Sequence, residues 1–242
     1  MGTAVSIELA DDRPSPQLRA LVDDVCAWLH DVDARFSTYK PDSEVCRLRR
    51  RELSEAECSD ELRHVLAMCT ELWHDTDGYF DAYAAGPLDP SGYVKGWSVE
   101  VASARLLEAG STSHYINAGG DIRMRGEHPD GGPWRVGIRH PWEADRVSWV
   151  LAVSDGAVAT SGTYERGDNV INPRTRMPAR GLRSVTVVGP DLSLADAYAT
   201  AALAMGEEAL GWLAKRAADG YESAVITEDG RAFSTGNLPA AV

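Results

Sequence analysis

No stretch of the 242-residue sequence reaches the roughly 18 uninterrupted apolar residues that cross a bilayer, so no membrane-spanning helix is expected. Positive charge is in deficit too: 24 Lys plus Arg stand against 37 Asp plus Glu, a formal charge of −13. Nucleic acid and anionic lipid are held by concentrated Lys and Arg, so neither polyanion is an expected partner. A small phosphate-bearing ligand is compatible with this field if aimed cations, main-chain N–H donors or a divalent metal offset it locally. Cysteine is scarce. Cys26, Cys46, Cys58 and Cys69 are separated by 20, 12 and 11 positions, which fits neither a zinc ribbon nor a CxxC redox pair. Cys26 and Cys69 sit at or beside apolar helical stripes, as reduced core thiols do. The N-terminus shows no basic start, apolar signal core or small-residue cleavage site, and the expectation is a reduced, cytoplasmic protein. Gly2 with Ser6 satisfies a myristoylation pattern, but Thr3, Val5 and Ile7 alternate with Ala4, Ser6 and Glu8 as a β-strand does.

What is present is a globular composition, 44% hydrophobic with large apolar residues spread along the chain. The length allows one large domain or two closely joined lobes. Periodicity predicts helices from Ser15 to about Val32, from about Ser59 to near Asp77, from Trp97 to Leu107, from Ser193 to Met205 and from Leu210 to Ala217. Short β-like runs are expected at 114–116, 135–138, 148–153, 157–159 and 184–188, with a closing hairpin around Asp229-Gly230. Strands and helices follow one another without a regular βαβ beat, which predicts the α+β class. Cys58, His64, Cys69 and His74 do not share a helical face, so zinc is not expected.

Four segments carry candidate chemistry. Asn117-Ala118-Gly119-Gly120-Asp121 follows a strand; its glycines admit a ligand close to the backbone, or simply make a turn. Thr160-Ser161-Gly162 supplies hydroxyl and amide donors suited to a phosphate, or a loop that caps itself. Asp196 and Thr200 lie one turn apart on a helix among alanines, a carboxylate and a hydroxyl suited to magnesium; Asp196 in a first turn is also favoured by the helix dipole. Lys95, in the Gly- and Pro-rich run from Asp89 to Trp97, is either a solvated surface lysine or the partner of a phosphate or carboxylate held by a Gly-bracketed turn.

The order of motifs is more specific than any one of them. Met1-Gly2-Thr3, FSTYKPDSEV (Phe36 to Val45), DGYFDAYAAGPL (Asp77 to Leu88), SGYVKGW, NAGGD, WRVGIRHP, ATSGTYER, INPRT and LADAYAT together resemble the FAD:protein FMN transferase family, the ApbE type, over nearly the whole chain. The resemblance implies a single ApbE-like domain over residues 1–242, α+β, with two closely joined α/β lobes and the ligand cleft between them. It implies FAD as substrate, magnesium, transfer of FMN to a Ser or Thr hydroxyl of an acceptor flavoprotein, and release of AMP. On that basis Met1, Tyr39 and the Asn117 to Asp121 loop (Asn117, Ala118, Gly119, Gly120, Asp121) would line the flavin and adenine sites. Asp89 and Lys95 would belong to the FAD site, with Lys95 beside the diphosphate, and Thr160, Ser161 and Gly162 would hold phosphate or ribose. Asp196 and Thr200 would be metal ligands, joined by the main-chain carbonyl of Val94, and Asp196 and Lys95 would carry the chemistry.

The chain also departs from the family pattern. Where the family has His followed by Ile-Ile-Asp-Pro-Arg-Thr-Gly, this chain runs from Asn169 to Arg176 as Asn-Val-Ile-Asn-Pro-Arg-Thr-Arg. An amide cannot take the proton that the family's His would accept. Asp168 is the substitute base expected here. Ser91 stands for the usual Gly, and Glu100 for the usual Asp. The competing readings are a protein that binds FAD without transferring FMN, and a hydrolase that gives FMN and AMP.

Overall fold

The computed structural model describes residues 2–164 and 170–241. In chain order the elements are β1 (Val5–Leu9), α1 (Ser15–Phe36), α2 (Glu44–Arg49), α3 (Asp60–Asp75), α4 (Ser91–Glu108), β2 (His114–Ala118), β3 (Asp121–Arg125), β4 (Trp134–Arg139), β5 (Val147–Val153), β6 (Gly156–Gly162), β7 (Ile171–Asn172), β8 (Met177–Pro178), β9 (Leu182–Gly189), α5 (Leu192–Met205), α6 (Ala209–Arg216), β10 (Glu222–Thr227) and β11 (Ala232–Ser234). The class is α+β, as expected. One antiparallel sheet in the order β1-β2-β3-β6-β9-β10-β11 is the backbone of the molecule.

Alternation along the central strands divides two cores across that sheet. Ala157, Ala159, Val185, Val187 and Val225 point to the helical side, where Trp28, Val32, Leu62, Trp97 and most of α5 pack. Ile122, Met124, Val158, Val188 and Ala224 point the other way, against Trp134, Val136, Ile138, Leu151 and Val153 of the β4-β5 hairpin. Two layers, one helical and one the β4-β5 hairpin, thus share a single sheet. α5 lies in the middle of the helical core; apart from Leu194 and Thr200 all of its residues are buried, and its run of alanines suits a helix hemmed in on every side. Asp191 caps it by accepting the Leu194 N–H at 3.0 Å, and Gly206 ends it with φ +70°.

Three expectations change. α4 begins at Ser91, not Trp97, so Lys95 sits inside a helix and not in a Gly-bracketed turn. Gly92 and Gly96 weaken a helix locally, but both face α5: an added Cβ on Gly96 would lie 2.5 Å from the Leu192 carbonyl and 2.8 Å from the Asp196 Cβ. Close helix packing therefore overrides the local preference. α2 and β3 were absent from the sequence pattern; β3 reads Asp-Ile-Arg-Met-Arg, a strand whose charged members are buried or ion-paired rather than solvated. Cys26 is exposed, whereas Cys46, Cys58 and Cys69 are buried, and all four are free thiols. No helix is long and apolar enough to cross a membrane among the described residues.

Candidate active site

The glycine pair is a turn and a wall at once. Ala118 pairs with Asp121 across a two-residue connection in which Gly119 and Gly120 have φ of +62° and +98°, a hairpin geometry that favours glycine. A Cβ on Gly119 would also run into the Thr3 hydroxyl. Asn117 fixes the turn, accepting the Gly120 N–H at 2.9 Å and donating to the Tyr115 hydroxyl at 3.3 Å. The turn delivers Asp121, fully buried, to the Lys95 ammonium, with which it pairs. Thr160 on β6 donates its N–H to the other Asp121 oxygen at 3.3 Å.

From the opposite side α5 brings Asp196, whose Oδ2 accepts the Gly96 N–H at 3.0 Å and whose Oδ1 is 3.9 Å from Lys95 Nζ. One turn on, Thr200 Oγ1 lies 3.3 Å from Ser161 Oγ. Lys95, Asp121, Thr160, Ser161, Asp196 and Thr200, drawn from four separate segments, thus meet in one place. Burial pushes the Asp196 carboxyl well above the usual carboxylate range and the Asp121 carboxylate adds to this, while Lys95 and the Gly96 amide oppose it. Two carboxylates facing one ammonium leave a buried site short of positive charge. Among the described residues no three His, Cys, Asp or Glu side chains converge as a metal cage, so a cation here would rely on hydroxyl, carbonyl or ligand oxygens as well.

Beside this cluster a cavity of about 410 Å³ is lined by Asn117, Gly119, Gly120 and Thr160 together with Tyr115, Arg135, Arg139 and Tyr164. The last four were not singled out in the sequence. The signal for two of them was there: in β4 Trp134, Val136 and Ile138 are buried while Arg135, Gly137 and Arg139 face out, a strict period of two. A larger groove, about 760 Å³, runs along α2, α3 and the 81–88 segment, and none of the expected site residues lines it. Chemistry rather than size selects the smaller cavity.

The remaining expected residues are scattered in role. Ala118 packs in the helical core, so its side chain offers nothing to a ligand. Gly162 ends β6 opposite Ser184, with Tyr164 packed against it. Val94 is buried on α4, one residue before Lys95. Asp89 accepts the Ser91 N–H at 3.1 Å and so starts α4. Tyr39 is 95% exposed in the connection between α1 and α2 and lines neither cavity. Met1, Asp168 and Asn169 lie outside the described residues.

Comparison with known proteins places this arrangement. The profile of the ApbE family matches residues 1–88 and 84–225. A Rhodobacter capsulatus protein named FAD:protein FMN transferase is 38% identical over 162 residues, covering 63% of this chain and 30% of that protein. One of the same name from Vibrio cholerae is 27% identical over 268 aligned positions, covering 86% of this chain and 80% of its own length. The chain thus spans less than a third of the first relative and most of the second. A crystal structure of an ApbE protein from Thermotoga maritima superposes with a TM-score of 0.86 at 23% identity, over 97% of this chain and 94% of that one. The flavin transferase ApbE from Vibrio cholerae gives 0.81 at 25% identity, over 98% and 94%. Profile, relatives and fold agree, and the chain belongs to the ApbE family.

Proposed function

We propose that the protein is a FAD:protein FMN transferase, moving FMN from FAD to a Ser or Thr hydroxyl of an acceptor flavoprotein and releasing AMP. The observation that carries this reading is the meeting of Lys95, Asp121 and Asp196 beside a cavity walled by the Gly119-Gly120 turn. In the reaction the acceptor oxygen forms a bond to the FMN phosphorus, the anhydride P–O bond breaks toward AMP, and the hydroxyl proton passes to a base. Asp168 is the residue we assign to that base, since Asn169 cannot serve.

The donor set fits magnesium: Asp196 and Thr200 offer hard oxygens one turn apart, the Val94 carbonyl has a second lone pair beyond its helical bond, and the buried carboxylate pair is short of cationic charge. When bound, magnesium would neutralise the diphosphate and the charge that develops on the departing AMP. The protein's own groups divide the remaining work. Lys95, 21% exposed and held by Asp121, would offer its ammonium to the paired phosphates. The Asn117-supported turn lets the ligand approach the main chain, and the Ser161 hydroxyl offers a donor to phosphate or ribose oxygens, while the Thr160 N–H is taken up in holding Asp121.

The test is incubation with FAD, magnesium and a candidate acceptor domain, following AMP and acceptor mass. AMP with an FMN mass gain supports transfer. AMP alone supports hydrolysis, and a retained yellow flavin with neither supports the binding protein that Asn169 in place of His would favour.

A further inference from the structure

α4 and α5 run antiparallel with one contact per turn, and the three contacts are in strict register. Gly92 faces Thr200, where an added Cβ would meet the Thr200 methyl at 3.5 Å. Gly96 faces Asp196 and donates its N–H to it. Glu100 faces Leu192: its Oε2 accepts the Leu192 N–H, the first of α5, at 2.9 Å. The other Glu100 oxygen accepts from Arg123 Nε at 2.9 Å and lies 3.4 Å from Arg125 Nη2, both on β3. Arg123, 2% exposed, is itself locked to the Met124 and Gly156 carbonyls at 2.6 and 2.8 Å.

Resting on the function proposed above, we propose that Glu100 is a positioning residue: it sets the axial register of α5 against α4 and β3, and with it the place of Asp196 and Thr200 relative to Lys95 and Asp121. The geometry is that of a clamp outside the site. The glycines let the helices approach, and apart from the Gly96 N–H bond to Asp196, a group the site itself uses, a surface of Gly and Ala offers no lateral stop to sliding. Glu100 supplies that stop with directional bonds to the end of one helix and to a rigid strand. The same strand begins with Asp121, so a single carboxylate ties together the three elements that carry Lys95, Asp121 and Asp196.

The test compares Glu100→Ala and Glu100→Gln with the parent, at a temperature where all are folded, by amide hydrogen exchange and by steady-state turnover of FAD. Glu100→Ala should speed exchange in the first turns of α5 at least tenfold while β9, β10 and α3 keep their protection. It should lower kcat at least tenfold with little change in KM for FAD. Glu100→Gln keeps the acceptor for the Leu192 N–H but turns an NH2 toward the Arg123 donor, so it should restore part of the α5 protection and of kcat and stay below the parent in both. Uniform loosening of the whole chain, or an Ala variant with parental kcat, would overturn the assignment. Should the parent turn over no FAD, the transferase reading fails on its own, and the exchange pattern alone decides whether Glu100 holds the register: acceleration confined to α5 supports it, and unchanged exchange refutes it.

Discussion

At the scale of single residues, Asp196 separates function from stability most sharply. Its carboxyl is held in a buried site where burial and Asp121 both disfavour charge. Asp196→Asn keeps the shape and removes that conflict, so thermal unfolding of the ligand-free protein should stay level or rise. AMP release should nonetheless fall by more than about 100-fold, beyond the roughly 10–100-fold usual for groups one shell removed from a metal. A lower Tm with retained turnover would mean Asp196 is structural. Asp168→Ala tests the proposed base in the same assay: turnover should collapse while FAD still binds, and unchanged turnover would remove Asp168 from the mechanism.

His114 makes a prediction about acid. It is fully buried between Ser103 (2.8 Å from Nε2) and Ser111 (3.3 Å from Nδ1), and burial lowers its pKa from 6.5 to about 4. The unfolded chain therefore takes up a proton below pH 6.5 that the folded one refuses until about pH 4. Stability should fall across that window by roughly 3 kcal/mol, since each pH unit between the two titrations is worth about 1.4 kcal/mol. Urea midpoints measured from about pH 7 to about pH 4.5 should show this slope, and His114→Asn should flatten it.

Between elements, the close approach of α4 to α5 is the feature on which the site depends. Gly96→Ala forces a methyl against the Leu192 carbonyl and the Asp196 side chain. Overpacking of this kind costs about 1–3 kcal/mol, and the displaced Asp196 should lower turnover more than it lowers FAD affinity. A fully active, fully stable alanine variant would show that the helices have slack. The same contact explains what the sequence could and could not disclose. α1, α3 and α5 were legible because their apolar stripes or alanine runs and their Ser59 and Asp191 caps agree with one another. The start of α4 was not, since Gly92, Gly96 and Pro90 are loop signals taken one at a time, and their purpose appears only when α5 is laid beside them. β3 escaped notice for the converse reason: Arg123 and Arg125 look solvated until Glu100 and Asp155 are found next to them.

For the whole molecule, one sheet with helices on one face and a hairpin on the other brings segments far apart in the sequence to a common point. Lys95, Asp121, Ser161, Asp196 and Thr200, which the fold brings together, could be named from motif order, because the proposed reaction restricts which side chains could serve. Tyr115, Arg135, Arg139 and Tyr164 could not, because a cavity wall is defined by which strand faces which, and that is decided by the packing of β4-β5 against the sheet. The most direct measurement of the account is a crystal structure with FAD and manganese, whose anomalous signal marks the cation. The account predicts manganese within ligating distance of Asp196 and Thr200, with the diphosphate against Lys95 and part of the dinucleotide in the cavity bounded by Gly119, Gly120 and Thr160. FAD seated instead in the groove along α2 and α3, or manganese bound away from α5, would contradict it.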